Sequence, residues 1–243
     1  MKPVPRLTGL LFPQAPTKPA SRYDDAVAYL ASLDKMGIRM GLDEVRCLLI
    51  NLGNPHLAYP SLLIGGTNGK GSIAAMTAAI LQRSGLRTGL YTSPHLVDLS
   101  ERIRVAHRRI SRRQLIAAIG QVRKRMNEPL TWFEFVTVLA FLHFAMERID
   151  IAVLEVGMGG RLDATNASDP IVSVISNVSL EHQAYLGNHL SQIAKEKSEI
   201  IRPECFFKIS YKSNRRISNA GVEREMLIVG LAMNKKRNNG KYR

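Results

Sequence analysis

The chain has no uninterrupted apolar run approaching the ~20 residues needed to cross a bilayer, which excludes a membrane-spanning helix. Its two cysteines, Cys47 and Cys205, lie far apart and in no metal-ligand spacing. Neither a disulfide framework nor a thiolate metal site is expected, and a reducing compartment is. The proline-rich opening, residues 1–20, lacks the apolar core of a signal peptide, so the protein is expected in the cytoplasm. No internal repeat is visible. At 243 residues there is room for one large domain or slightly more, with a sizeable core.

Acidic charge is also scarce. The net charge of +14 is uneven, because from Lys208 onward ten Lys and Arg face only two Glu. That C-terminal stretch has few aromatics and no RNA-binding motif. A solvated, partly disordered tail is expected from it, with no nucleic-acid partner. The remaining positive excess suits a protein that binds polyanionic small molecules.

What is present begins with a phosphate cradle. Gly65-Gly66-Thr67-Asn68-Gly69-Lys70-Gly71-Ser72 follows the apolar run Ser61-Leu62-Leu63-Ile64 and leads into the helical pattern Ile73 to Leu81. Glycines let backbone N–H groups converge on an anion, a helix N-terminus adds its positive end, and Lys70 adds a mobile charge. The order departs from the strict GxxxxGK[ST] loop: Ile64 replaces the first glycine, and the hydroxyl arrives one place late at Ser72. A plain glycine-rich surface turn is the alternative.

Helices are expected from Ser21 as a cap, over Asp43–Leu52, from the cradle to Ser84, from Ser111 to about Asn127, over Phe133–Ile149 and over His189–Ile201. Strands are expected at 61–64, Arg87–Thr92, Ile151–Val156 and Ile171–Ser176. Strands that alternate with helices and are apolar throughout indicate an α/β fold, a P-loop-type, mostly parallel sheet with helices on both faces. Ligands in such sheets gather at the carboxyl ends of the strands. The chemically unusual residues fall there: Gly65–Ser72, Thr92–His95, Glu155–Asn166 and Asn177–His182.

Glu155 interrupts an apolar strand. A buried carboxylate needs a partner, and either a metal beside a nucleotide phosphate or a salt bridge with Arg161 would serve. Thr92-Ser93-Pro94-His95 reads alone as an ST-turn, and His182 alone as a packed histidine. The run Gly157-Met158-Gly159-Gly160 lets backbone approach a ligand closely.

Together, GGTNGKGS, YTSPHLVDLSERIRV, TWFEF (Thr131–Phe135), LEVGMGGRLDATN and SLEHQAYLG followed by QIAKEKSEII resemble the folylpolyglutamate synthase and dihydrofolate synthase family, the folate branch of the Mur-ligase-like ATP-dependent ligases. The resemblance covers about Tyr23 to Pro203 and implies the central ATP-binding domain of that fold. It implies that Thr67, Asn68, Gly69, Lys70, Gly71 and Ser72 hold the ATP phosphates, with Lys70 on the γ-phosphate. It implies Ser93 and Glu155 as ligands of one Mg²⁺ and His182 of a second. Lys197 matches the lysine that the family carbamylates; an ordinary surface lysine is the alternative. Lys70, Lys197 and His182 would form the catalytic set. The substrate region would comprise the loop from Ser93 to Arg104, with Pro94 and His95, then Thr131, Trp132, Phe133 and Glu134, and Leu162, Asp163 and Ala164. Phe133 and His95 would offer flat faces to a pterin or benzoyl group.

The implied activity is ATP-dependent addition of L-glutamate to dihydropteroate or a folate, by a monomer with small-molecule substrates and no membrane partner. Where the family has Asp-His this chain has Glu181-His182, and Glu199 adds a charge near Lys197. The expected organisation is a proline-rich segment 1–20, a partial ATP-binding domain 21–203 and a divergent basic tail 204–243, with the C-terminal glutamate-binding domain absent. A catalytically inactive remnant that retains nucleotide or pterin binding is the competing reading.

Overall fold

The computed structural model describes residues 22–39, 41–202, 206–211 and 226–231. The proline-rich opening and most of the basic tail lie outside the described residues. Helix α1 (Arg22–Leu33) and α2 (Asp43–Asn51) precede β1 (Ser61–Gly65), the cradle and α3 (Lys70–Arg83). Then come β2 (Thr88–Tyr91), β3 (Ile103–Val105), β4 (Arg108–Arg109), α4 (Arg112–Arg125), α5 (Trp132–Met146) and β5 (Ile151–Glu155). The chain continues through β6 (Pro170–Ile175), α6 (Gln183–Leu186), α7 (Leu190–Ser198), β7 (Phe206–Tyr211) and β8 (Met226–Leu231).

The strands form one sheet in the order β4-β3-β2-β5-β1-β6-β7-β8. From β2 to β7 every neighbouring pair is parallel; β3, β4 and β8 are antiparallel additions at the edges. The expected mostly parallel sheet is present, and the carboxyl ends of β1, β2, β5 and β6 therefore share one edge. Two outcomes differ from the sequence reading. The β3–β4 hairpin was not expected; it turns through Ala106 and His107, both with positive φ (46° and 66°), where Asn-Gly would be the usual signal. The stretch expected as a solvated, partly disordered tail contains two strands, β7 and β8, that extend the sheet. Phe206-Phe207-Lys208-Ile209 and Leu227-Ile228-Val229 are strand-forming residues that the charge count of the whole tail concealed.

The helices begin where their caps dictate. Ser111 and Gln114 close a reciprocal capping box on α4, and Thr131 and Glu134 do the same on α5. Helix α5 is apolar on all sides, and every residue from Glu134 to Phe144 is buried. With α1, α2 and α4 it builds the main core against Leu63, Tyr91, Ala152 and Leu154 of the sheet. Alternation along the strands sends Ile64, Leu90 and Val153 to the other face, where Ala74 and Ala78 of α3 meet them. No helix among the described residues is long and apolar enough to cross a membrane.

Candidate functional site

The cradle leaves β1 and turns through Gly66 (φ 129°) and Gly69 (φ 80°), backbone that an L-residue adopts with strain. At Gly66 a Cβ would lie 2.0 Å from Ser176 Oγ, so only glycine lets the loop lie against the end of β6. Residues after β6 brace it: Thr67 N–H donates to Asn177 O (3.0 Å), Asn68 N–H to Asn177 Oδ1 (2.9 Å), and Ser176 Oγ–H to Asn68 O (2.7 Å). Gly69 is the N-cap of α3 and has no side chain to satisfy the helix start, so the first amides of the helix stay open to an anion. Lys70 folds back, donating to Gly66 O and Thr67 O, each at 3.0 Å.

Glu155 stands beside this cradle. Its register partner is Ile64, and alternation places it on the α3 face with Val153. A Cβ on Gly71 would meet Glu155 Oε1 at 3.3 Å, so the carboxylate points at the helix start. Glu155 Oε2 accepts the Ser93 backbone N–H at 2.9 Å, which joins the end of β2 to the end of β5. Burial raises the Glu155 carboxyl above its ordinary value; the Ser93 amide, Lys70 and Arg102 oppose that rise. The Arg161 alternative fails, because Arg161 pairs with Glu196 at 3.1 Å.

Lys197 is 1% exposed. Its Nζ donates to Gly66 O at 2.9 Å and to Glu181 Oε1 at 2.5 Å. The alternative of an ordinary surface lysine therefore fails. Burial lowers its affinity for a proton, Glu181 raises it, and Lys70 lowers it further. Lys70 and Lys197 thus converge on a single carbonyl, that of Gly66.

Residues 64–206 match the Mur ligase middle domain. The chain belongs to that family. It is 45% identical over 184 residues to a probable bifunctional folylpolyglutamate synthase/dihydropteroate synthase of Haloferax volcanii, a match covering 73% of this chain and 22% of that protein. It is 39% identical over 188 residues to the folylpolyglutamate synthase of Lacticaseibacillus casei, covering 74% and 44%. Its fold matches the Escherichia coli FolC structure in complex with DHPP and ADP, with TM-score 0.71, 34% identity and coverage of 74% of this chain and 44% of that one. The chain therefore spans less than half the length of these relatives.

Other sequence-derived candidates in this Mur ligase middle domain are placed as follows. Trp132 and His95 come together, ring centroids 6.0 Å apart, with Pro94 exposed next to them. Phe133 packs on Tyr91 and fills the space above Gly157, where a Cβ would meet its ring at 2.4 Å. Thr131 and Glu134 are occupied by capping α5, and Glu134 also pairs with Arg39 at 2.9 Å. Asp163 is buried and accepts from Met158 N, Thr165 N and Thr165 Oγ1, at 2.5–3.0 Å. It shapes the glycine-rich loop rather than facing outward. Ala164 is buried beside it and Leu162 is half-buried. Ser72, the third residue of α3, is exposed.

His182 is the outlier. It stands exposed at the start of α6 with positive φ (45°), and among the described residues no hydrogen bond or ion pair joins its ring to Glu155 or Ser93. No group of three or more His, Cys, Asp or Glu side chains converges among the described residues. That pattern is compatible with Mg²⁺, which takes one or two carboxylates and leaves its remaining positions to phosphates and water. Three residues lie in segments that the sequence singles out but have roles it did not assign: Glu181 as the partner of Lys197, Asn177 as the brace of the cradle, and Arg102 as a buried guanidinium. Only their tertiary neighbours distinguish them.

Proposed function

We propose that this chain forms the ATP-phosphate and pteroyl-binding part of an ATP-dependent ligase that joins L-glutamate to dihydropteroate or a folate. The observation that carries the reading is the meeting of Lys70, the open start of α3 and the buried Glu155 carboxylate at one sheet edge. In the proposed reaction a carboxylate oxygen of the pteroyl substrate attacks the γ-phosphorus of ATP. An O–P bond forms, the bond to the β-phosphate oxygen breaks, and ADP leaves. The glutamate amine then attacks the acyl carbon; phosphate departs and the nitrogen loses a proton, leaving the amide. Phosphoryl transfer of this kind depends on positioning and charge neutralisation. Lys70 would release its two loop carbonyls to reach the phosphates, and the amides of residues 69–72 would hold them.

Glu155 and the Ser93 hydroxyl would hold a Mg²⁺ ion, which neutralises phosphate charge. The Lys197 amine suits carbamylation, since burial and the nearby Lys70 both favour its uncharged, nucleophilic form. The cytoplasm and a monomeric state complete the reading. To test it, the purified chain is titrated with Mg·ATP by calorimetry. It is then incubated with ATP, dihydropteroate and hydroxylamine, which traps an acyl phosphate as a hydroxamate. Saturable nucleotide binding and ATP-dependent hydroxamate are expected. A wild-type chain that binds no nucleotide would overturn the proposal.

A further inference from the structure

The structure assigns Arg102 as a positioning residue that frames His95 and Trp132 for a flat heteroaromatic ligand, an inference that rests on the pteroyl-site reading above. Arg102 ends the short turn Leu99–Arg102 and is 8% exposed. A buried guanidinium is expensive unless its donors are used, and Arg102 forms no ion pair among the described residues. Its charge is met at longer range by Glu155 and Asp34, and the Tyr91 hydroxyl lies close to its side chain.

One donor and the flat face are spent on two rings. Arg102 Nε–H donates to His95 Nδ1 at 2.8 Å. The guanidinium carbon lies 4.4 Å from the centre of the Trp132 ring, a stacked cation–π geometry. An arginine nitrogen can only donate, so Nδ1 of His95 must accept, and the imidazole carries its proton on Nε2. Arg102 therefore fixes both the orientation and the tautomer of His95, and it covers part of the indole. The imidazole and indole planes are inclined by 33°. His95 is followed by Leu96 and Val97, which are 92% and 88% exposed. Two large apolar side chains in the open beside a pair of held rings suit a ligand with an aromatic face and an in-plane acceptor for His95 Nε2–H. A pterin-like bicycle has both.

Trp132 is the single tryptophan of the chain, so its emission reports on this frame directly. Pteroic acid is the probe. Wild-type emission is expected to quench saturably, with Arg102→Lys and Arg102→Met weakening pteroic acid binding about tenfold or more, as loss of a charge-assisted bond and a stacked cation implies. Both variants should shift the ligand-free emission while keeping the wild-type circular dichroism. Undiminished affinity in folded Arg102→Lys and Arg102→Met would sink the positioning role alone. Calorimetric binding of pteroic acid that leaves wild-type emission untouched would sink the site reading instead. Nitrogen-15 NMR of the wild-type chain needs no variant: the Nε2–H tautomer is expected at His95, and an Nδ1–H tautomer would overturn the inference.

Discussion

On one face of the sheet α1, α2, α4 and α5 pack on one another and on the strands, enclosing Phe135, Phe141, Phe144 and Leu139 completely. On the other, α3 closes a small core of Ile64, Ala74, Ala78, Leu90 and Val153. Its outward residues Met76 and Ile80 stay 58% and 66% exposed. The contrast separates holding a fold from holding a ligand. The deep face carries the apolar burial and presents Trp132 and Phe133 at the start of α5. The shallow face carries small residues, whose value lies in close approach: Gly71 lets a carboxylate touch the helix start, and the alanines let α3 lie near the strands. The candidate chemistry occupies the edge where both faces end.

The comparison breaks most readily at the deep face. Phe141 is fully buried in the middle of α5 and stacks near His56, ring centroids 5.8 Å apart. Phe141→Ala should destabilise the chain by about 3–5 kcal/mol through lost transfer energy and a cavity, read by urea unfolding. A loss below about 1 kcal/mol would mean that the core relaxes around the gap and that this face is not the rigid one. Lys70→Ala, on the shallow side, should behave oppositely. Mg·ATP binding should weaken by about 1.5–3 kcal/mol, the worth of a charge-assisted contact, while the melting temperature hardly moves. Calorimetry showing unchanged affinity would remove Lys70 from the phosphate site.

The same contrast explains what could be read from sequence. The parallel strands, the capped helices α4 and α5 and the glycine cradle were legible because local pattern and tertiary role agree there. The strand ends then pointed to the candidate site, since a parallel sheet directs its ligands to one edge. The hairpin through Ala106 and His107 was illegible because its turn lacks the residues that positive φ favours. Thr131, Glu134 and Asp163 sit in the expected segments, yet they turn their polar atoms inward to caps and loop amides, which spacing cannot reveal. Arg102 and Arg104 look alike in sequence. Only tertiary packing makes the first a buried clamp and the second a half-buried neighbour.

A smaller effect sharpens the comparison at Glu155. Burial raises its folded-state carboxyl above the 4.5 of a free side chain, so the folded protein holds that proton more tightly than the unfolded chain. Stability from this group is full below the unfolded value and is lost as pH rises through the raised one. At neutral pH Glu155→Gln should therefore gain about 1 kcal/mol of stability, as relief of a strained functional group commonly does, and the gain should vanish near pH 4. Added Mg·ATP should stabilise the wild type more than the variant. Thermal melts with and without ligand check both signs, and a variant less stable at pH 7 would make Glu155 a structural carboxylate.

The smallest expected effect probes whether the shallow face is open in solution. Ile80 and Met76 lie on the outer side of α3, away from the residues that meet the sheet. Lysine is a slightly better helix former than isoleucine, and an exposed substitution away from special contacts falls within about 0.5 kcal/mol of zero. Ile80→Lys should thus leave the melting temperature nearly unchanged at every protein concentration. If it instead lowers stability by more than about 1 kcal/mol, and the loss depends on concentration, Ile80 is covered by a second copy. If the loss is independent of concentration, another part of the same chain covers it. Either outcome would give α3 a buried outer side and remove the inequality between the two faces.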